Sequence, residues 1–470
     1  MKKVLLPIIV LIVLIRSGVL AQSGPNGFAM PLDKHEKATL SAPCGEDGVC
    51  VLTESATRKL HRMTFVHIGT DLKPRWDTTI TLPAEWKRQQ FFHEDGTVIC
   101  LYRVFQKNRP TDKGILMLYH TDNQIFETKE LTGLPTEGST TDWHYHDGNL
   151  FFTVLWRSVD EVWFLPAGAL SPTPFPFTQE NPGQVLVTAV DTIRDKAVIC
   201  FTSGGRTMYF ETDFTGKSSF ANILNEPATR AQWVGVGPSH SLLMLYYEDE
   251  ETFYMHPVNI LNRKVMPSDT VFCADLYVPQ TLPESVRGKK LFIVTPYSNV
   301  SILPTSVTLM GDKVACITEL YNPEYTSYFN GWYVEPRFNG YRYERADVHF
   351  FDTNGVFQTN VTVPYDETAS LHSTIIRKLS AVRLSSGDIL LYHRNGLQLT
   401  TMLIDSSLRV KDPVRSNALP LPAIQLKSHK LSVDRFEPWH GHNRFLLTAF
   451  RIEPISQKKV QYLLWGMEYQ

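Results

Sequence analysis

Two pairs of histidines come nearest to a chemical site in this sequence. His144 and His146 are two residues apart in the run DWHYHD, and His440 and His442 are two apart in WHGH. Side chains at positions i and i+2 of a β-strand point to the same face, and two imidazoles on one face can share a metal ion. The simpler interpretation is that these strands line the solvent-filled central channel of a β-propeller, the fold that the repeats below predict. Polar side chains are common in such a channel. We therefore predict the four histidines as channel-lining residues, and no metal site.

Motifs of familiar catalytic sites are missing from the sequence. It has no GxSxG nucleophile elbow and no repeated SxDxGxxTW motif of the sialidase type. The acidic run from Glu248 to Glu251 lacks the alternating oxygen ligands and the glycine of a calcium loop. We predict no catalytic residue and no cofactor. One enzymatic alternative stays open, in which carboxylates on the inner strands of a propeller act on glycans as a hydrolase or lyase.

The stretch from Tyr321 to Arg345, YNPEYTSYFNGWYVEPRFNGYRYER, has the most unusual composition in the chain. Nine of the 23 residues from Tyr321 to Tyr343 are aromatic, against 11% of the whole chain. Tyr, Trp and Arg are the side chains most enriched at interface hot spots, so we predict a binding surface here. Its residues are Tyr325, Tyr328, Trp332, Tyr333, Arg337, Tyr341, Arg342 and Tyr343. The alternative is that the rings only fasten a long loop to the rest of the protein.

These residues must be positioned by strands, because helical periodicity is almost absent after the first 21 residues. Short runs rich in Val, Ile, Phe, Tyr and Thr alternate with turn residues, which is typical of an all-β chain. A tight turn followed by a strongly apolar strand recurs along the sequence. The turns are Asp47-Gly48, Asp95-Gly96, Asp147-Gly148, Arg194-Asp195, Ser239-His240, Gly311-Asp312, Gly387-Asp388 and His442-Asn443.

The repeated unit predicts a β-propeller. Each unit holds four antiparallel strands within about 45 to 55 residues and has no intervening helix, which fits a propeller blade better than a sandwich. We predict eight four-stranded blades, with seven as the alternative. The sequence ends directly after the third strand of the last unit, so we expect residues 27–32 to supply the fourth strand and close the ring. Residues 22–470 then form a single propeller domain.

The aromatic stretch has a specific place in this repeat. The sixth unit, roughly residues 279–366, is longer than the others, and an insert at 321–346 accounts for much of the excess. We place this insert in the loop between the second and third strands. Two Asn-Gly pairs are predicted as hairpin turns, and two prolines are expected to limit strand pairing. These residues are Asn330-Gly331, Asn339-Gly340, Pro323 and Pro336.

The first 21 residues predict a signal peptide. They have a basic start, an apolar run from Val4 to Ile15, and small residues up to Ala21. The run is too short to span a bilayer, and no later stretch is apolar enough to cross one. We expect a secreted chain that is cleaved near Ala21 and lies in the periplasm or at the outer membrane, without inserting into the membrane directly.

Charge and cysteines add little about partners. The 46 basic and 48 acidic side chains give a net charge of -2, which does not attract nucleic acid. Cys44 and Cys50 are close enough in sequence to form a disulfide across a turn, and the sequence does not decide whether they do. Cys100, Cys200 and Cys316 lie in apolar runs and are typical of small core residues.

The C-terminal third resembles a known group of proteins. The segments GWYVEPRFNGYRYERADVHFFDTNGVFQTN, KLSAVRLSSGDILLYHRNG and RFEPWHGHNRFLLTAFRIEPISQKKVQYLLWGMEYQ are similar to exported Bacteroidota propeller-like proteins. In those, Gly-Tyr-Arg-Tyr precedes a strand that ends in Phe-Asp-x-x-Gly. The resemblance covers about residues 325 to 470, and the chain departs from it at the residues 344–347, where a small apolar run is expected.

The resemblance implies a binding function and no catalytic activity. Some proteins of this kind plug the periplasmic mouth of the type IX secretion translocon, and the family has no catalytic motif to transfer. We therefore expect a non-enzymatic propeller that binds an envelope protein or occludes a pore at the outer membrane, with that translocon as the implied partner. The glycan hydrolase or lyase is the alternative.

Overall fold

The apolar strand after each recurring turn lies second in an antiparallel sheet of the computed structural model, where it is paired on both edges. The structure describes residues 22–24, 27–32, 36–156, 159–176, 183–214, 218–248, 252–266, 270–275, 301–329, 334–370, 379–419, 430–439, 443–453 and 456–468. The predicted signal peptide lies outside these residues.

The strands of the first four blades follow one another without crossovers. Two short strands, β1 (Gln22–Gly24) and β2 (Gly27–Pro31), precede them. Blade 1 has β3 (Glu36–Pro43), a 3-10 turn (Gly45–Asp47), β4 (Val49–Ala56), β5 (Leu60–Ile68) and β6 (Pro74–Pro83). Blade 2 has β7 (Trp86–Glu94), β8 (Thr97–Gln106), β9 (Arg109–His120) and β10 (Ile125–Leu131). Blade 3 has β11 (Ser139–His146), β12 (Asn149–Leu155), β13 (Asp160–Leu165) and β14 (Thr173–Pro174). Blade 4 has β15 (Gln184–Asp191), β16 (Lys196–Ser203), β17 (Arg206–Thr212) and β18 (Ser218–Leu224).

The last four blades keep the same order. Blade 5 has β19 (Arg230–Gly237), β20 (His240–Glu248), β21 (Thr252–Leu261) and β22 (Lys264–Met266), and β23 (Val271–Asp275) also pairs with β21. Blade 6 has β24 (Ser301–Met310), β25 (Lys313–Phe329), β26 (Val334–Asp352) and β27 (Phe357–Ser370). Blade 7 has β28 (Ser380–Arg383), β29 (Ile389–Asn395), β30 (Gln398–Ile404) and β31 (Val410–Ala418). Blade 8 has β32 (Lys430–Pro438), β33 (Arg444–Ile452) and β34 (Lys459–Glu468), completed by β2.

The fold class is an eight-bladed β-propeller, as predicted. Contacts divide the chain into two compact units, one of residues 1–180 with 420–470 and the other of residues 181–419. The first unit holds blades 1, 2, 3 and 8, and the second holds blades 4 to 7. Within each unit the first strands of successive blades contact one another, as β3, β7 and β11 do in the first unit. The first strand is therefore the inner strand of its blade.

The N-terminal strand completes the last blade. β2 pairs antiparallel with β34, with Phe28 opposite Leu464 and Met30 opposite Tyr462. Phe28 and Met30 are buried among side chains of blades 8 and 1. This confirms the predicted closure, because the open edge of β34 is covered by a strand from the other end of the chain.

Buried apolar side chains fill the spaces between successive blades of each unit. Phe65 of blade 1 packs in one cluster with Tyr102 of blade 2, and Leu245 of blade 5 packs with Tyr209 of blade 4. The recurring apolar strand supplies both sides of its sheet, since successive residues point to opposite faces. The continuous apolar run of each second strand is thus the sequence signal of the core.

All six cysteines are free and buried. Cys44 and Cys50 do not form a disulfide with each other. The Cys44 thiol donates to the Ala42 carbonyl at 3.2 Å, and burial raises the pKa of Cys44 to about 12. Both thiols pack with Val98 and Tyr119, so they serve as small core residues, as predicted for Cys100, Cys200 and Cys316.

Candidate functional site

The aromatic stretch forms an arm of paired strands instead of a loop. β25 and β26 have 17 and 19 residues, and their ladder runs from Lys313 opposite Asp352 to Phe329 opposite Val334. β24 pairs with β25 as far as Tyr321. Beyond that point β25 continues for eight residues, which span roughly 25 Å at the usual rise of an extended strand. We call the ladder of residues 322–329 with 334–342 the arm.

Three predicted details of this stretch are wrong. Asn339-Gly340 is not a hairpin turn but lies within β26, where the register shifts between Glu324 and Tyr325 and leaves Asn339 as the extra residue of a bulge. Gly340 has φ of +138°, a conformation that favours glycine. Pro323 and Pro336 also lie inside the ladder. Prolines are compatible with an arm of few strands, because an outward-facing edge needs no N–H. Asn330-Gly331 lies outside the described residues.

The predicted binding residues at the base of the arm differ in burial. Tyr343 is fully buried in the core between blades 6 and 7, so its assignment to a binding surface is wrong. Tyr341 is half-buried and packs edge-on against Tyr321, with ring centroids 5.5 Å apart. Arg342 is exposed.

The remaining predicted residues lie farther along the arm. Tyr325, Tyr328 and Arg337 belong to its strands, whereas Trp332 and Tyr333 lie outside the described residues. Alternation along β26 explains the burial of Tyr343, because Tyr341 and Tyr343 share the face that Arg342 does not. The rings at the base therefore fasten the arm to blade 6, as the alternative interpretation expected, and the surface prediction stays with the residues beyond them.

The first histidine pair lies on β11, the first strand of blade 3, and the prediction that it lines a channel stays a prediction. His144 and His146 are in β11, and they face the carboxylates of Glu94, the last residue of β7, and Asp95, in the turn that follows it. His144 Nδ1 is 3.3 Å from Glu94 Oε1, and His146 Nδ1 is 3.0 Å from Asp95 Oδ2. His440 and His442 lie outside the described residues.

Backbone amides at the end of β11 and in the turn after it bind the same two carboxylates. Tyr145 N donates to Glu94 Oε2 at 2.9 Å, and Asp147 N donates to Asp95 Oδ2 at 3.0 Å. The turn of blade 2 is thereby fastened to the inner strand of blade 3. The two imidazoles contact different carboxylates, and the described residues contain no group of three or more potential metal ligands.

A second polar cluster was missed by sequence reasoning. His67 Nδ1 is 2.7 Å from the Tyr119 hydroxyl, and His67 Nε2 is 2.8 Å from the Asp47 carbonyl. Thr121 donates to Asp47 Oδ2 at 2.6 Å. Burial lowers the pKa of His67 and of His93. The sequence identified Asp47 only as a turn residue. Its partners His67 and Thr121 are 20 and 74 positions away, so no local pattern marks the cluster.

Solved structures of other propellers are similar to this chain at low identity. The β-propeller domain of the Trilobed protease from Pyrococcus furiosus is 8% identical with a TM-score of 0.37, over 82% of this chain and 95% of that chain. The polysaccharide lyase Uly1 is 10% identical with a TM-score of 0.40, over 81% and 90%. The Dos1 propeller is 7% identical with a TM-score of 0.44, over 94% and 90%. Likeness at this level gives no information on function.

No family model matches the chain, and no curated protein matches it. In the residues that the structure describes, no helix has the length and apolarity needed to span a bilayer.

Proposed function

We propose that the protein is a non-enzymatic, exported propeller that binds an envelope protein through the arm of blade 6. The observation that carries the proposal is the length of the arm. Within the described residues, no strand outside blade 6 exceeds 12 residues, whereas β25 and β26 have 17 and 19. β25 continues for eight residues beyond its last pairing with β24, and a role in binding accounts for this extension best.

The base of the arm is suited to hold it in a fixed orientation. Tyr321 and Tyr343 are 6% and 0% exposed and belong to one core cluster. β27 pairs with β26 as far as Gly340, so the base is three strands wide. A pre-ordered surface loses less conformational entropy on binding than a flexible loop does. Tyr, Trp and Arg beyond the base supply the side chains typical of hot spots.

We propose the periplasmic side of the outer membrane as the location, and the type IX secretion translocon as the partner. This partner rests on the resemblance of residues 325–470 to exported Bacteroidota proteins. A propeller that carries a long ladder of paired strands would suit the occlusion of a pore. The predicted signal peptide supports export.

The proposal is tested by purification of the tagged full chain from native envelopes after mild crosslinking. We expect the wild type to recover an outer-membrane translocon protein, and the double variant Trp332→Ser/Tyr333→Ser to recover little of it. Phe272→Ser is the matched control, because Phe272 is 52% exposed in blade 5. Equal recovery by the double variant and the control would contradict a role for the arm.

The glycan hydrolase or lyase is a second candidate, favoured by the two carboxylate–imidazole pairs, Glu94 with His144 and Asp95 with His146. A carboxylate beside an imidazole can orient it for proton transfer. Purified protein incubated with uronate-containing polysaccharides would then release reducing ends or unsaturated uronates. Activity that disappears in Glu94→Gln and His144→Gln would support this candidate, and no product from the wild type would count against it.

A further inference from the structure

A polar cavity of about 420 Å³ lies between blades 4 and 5 of the second unit. Small-molecule sites usually have about 300 to 1,000 Å³, so this cavity has room for a small ligand. Its walls come from the β15–β16 turn, β17, the β19–β20 turn and the β21–β22 turn. Its polar lining residues are Arg194, Lys196, Glu211, Ser239, Asn262 and Arg263.

Arg194 is held in place by three acceptors. Its Nε donates to Asp191 Oδ2 at 2.5 Å, its Nη1 to Glu211 Oε1 at 2.7 Å and its Nη2 to Ser241 Oγ at 3.3 Å. Asp191 and Glu211 are each 1% exposed, and Tyr209 also donates to Glu211 Oε1. Both carboxylates therefore have a cationic partner. A guanidinium has five N–H donors, so two remain for a ligand.

Two further cations line the cavity and form no ion pair with a described residue. Lys196 is the first residue of β16, and Arg263 lies in the two-residue turn between β21 and β22. Asn262 and Arg263 have φ of +50° and +59°, and Asn262 N donates to the Ser239 carbonyl at 2.8 Å. This bond joins the two turns of blade 5 at the cavity wall, so the backbone that carries Arg263 is fixed.

We propose that this cavity binds a small molecule through a carboxylate or phosphate group. Arg194 forms a fixed floor, but with Asp191 and Glu211 it carries a net charge of -1. Lys196 and Arg263 bring the site to +1, and they supply the cations that a bound oxyanion would neutralise. The site is separate from the arm and does not depend on the function proposed for it. A carboxylate and a phosphate present the same acceptor oxygens, so both sources are tested.

The test titrates the mature full chain separately with inorganic phosphate and with glucuronate, by calorimetry and by thermal shift. We expect at least one anion to bind saturably, with an affinity that falls as ionic strength rises. Lys196→Gln/Arg263→Asn should weaken that binding by about tenfold or more. Asn tolerates a positive φ, and Arg263 is exposed, so this variant should have the same melting temperature as the wild type.

The matched control is Arg206→Gln, an exposed cation of blade 4 that does not line the cavity. It should bind the anion as the wild type does. Saturation by phosphate alone would identify a phosphorylated ligand, and saturation by glucuronate alone a carboxylated one. The proposal is overturned if neither anion saturates the protein, or if the folded double variant binds as tightly as Arg206→Gln.

Discussion

His349 is a histidine whose surroundings oppose protonation. It lies in β26, is 1% exposed, and has Nε2 within 3.3 Å of Thr318 Oγ1. Burial lowers its pKa from 6.5 to about 4, although the nearby charge of Asp347 acts in the opposite direction. A proton on His349 therefore costs free energy in the folded state that it does not cost in the unfolded state.

This environment predicts a loss of stability in mild acid. Between pH 6.5 and about 4 the unfolded chain binds a proton at position 349 that the folded chain does not, so the free energy of unfolding decreases as pH falls. Complete protonation of the unfolded chain at this position would lower the free energy of unfolding by about 3 kcal/mol, and above pH 6.5 this loss is absent. Urea unfolding at pH 7 and pH 5 should show a smaller difference for His349→Leu than for the wild type.

The control for this measurement is His120→Gln, since His120 is half-buried in blade 2. Its difference between the two pH values should stay close to that of the wild type. A wild-type difference that His349→Leu leaves unchanged would show that other groups cause the pH dependence.

At the scale of single elements, β2 should contribute strongly to stability although it has five residues. Phe28 is 1% exposed and packs in the cluster between blades 8 and 1. Phe28→Ala should lower the free energy of unfolding by about 3 kcal/mol, through lost burial and the cavity left behind. Pro31→Ala, at an exposed position of the same strand, should change it little. Chemical denaturation measures both, and similar values for the two variants would contradict closure by β2.

Some strands and turns could be predicted from local sequence, and others could not. Turns such as Asp95-Gly96 marked the second strands correctly, because a tight turn and an apolar run are both local signals. Asn339-Gly340 carries the same local signal but forms a bulge, since its pairing depends on the register of β25. Tyr343 was misassigned for a related reason, because only packing against blade 7 distinguishes a buried ring from an exposed one.

The histidine pair shows the same limit for the candidate site. The spacing of His144 and His146 placed them on one inner strand, whereas their partners Glu94 and Asp95 are about 50 positions away in sequence. No single-sequence pattern encodes which residues of the preceding blade meet β11. Composition and period therefore predict blades well, and contacts between blades poorly.

For the whole molecule, the arm and the blades should be separable. Asn322 and Arg342 are direct partners in the ladder, so residues 323–341 can be replaced by an Asn-Gly turn, which suits a two-residue hairpin connection. Tyr321 and Tyr343 keep their places in the core. The shortened protein should therefore melt within a few degrees of the wild type, whereas Tyr343→Ala should lose about 3 kcal/mol of stability.

The role of the arm can also be tested by fractionating cells. The proposed function predicts that the wild type fractionates with the outer membrane and that the shortened protein, which lacks the arm, fractionates with the released periplasm. Tyr343→Ala should reach lower levels in both fractions, since its defect is in folding. Arg206→Gln should distribute as the wild type does. If the folded, shortened protein remains with the outer membrane, binding must come from the blades, and the long ladder of blade 6 serves another purpose.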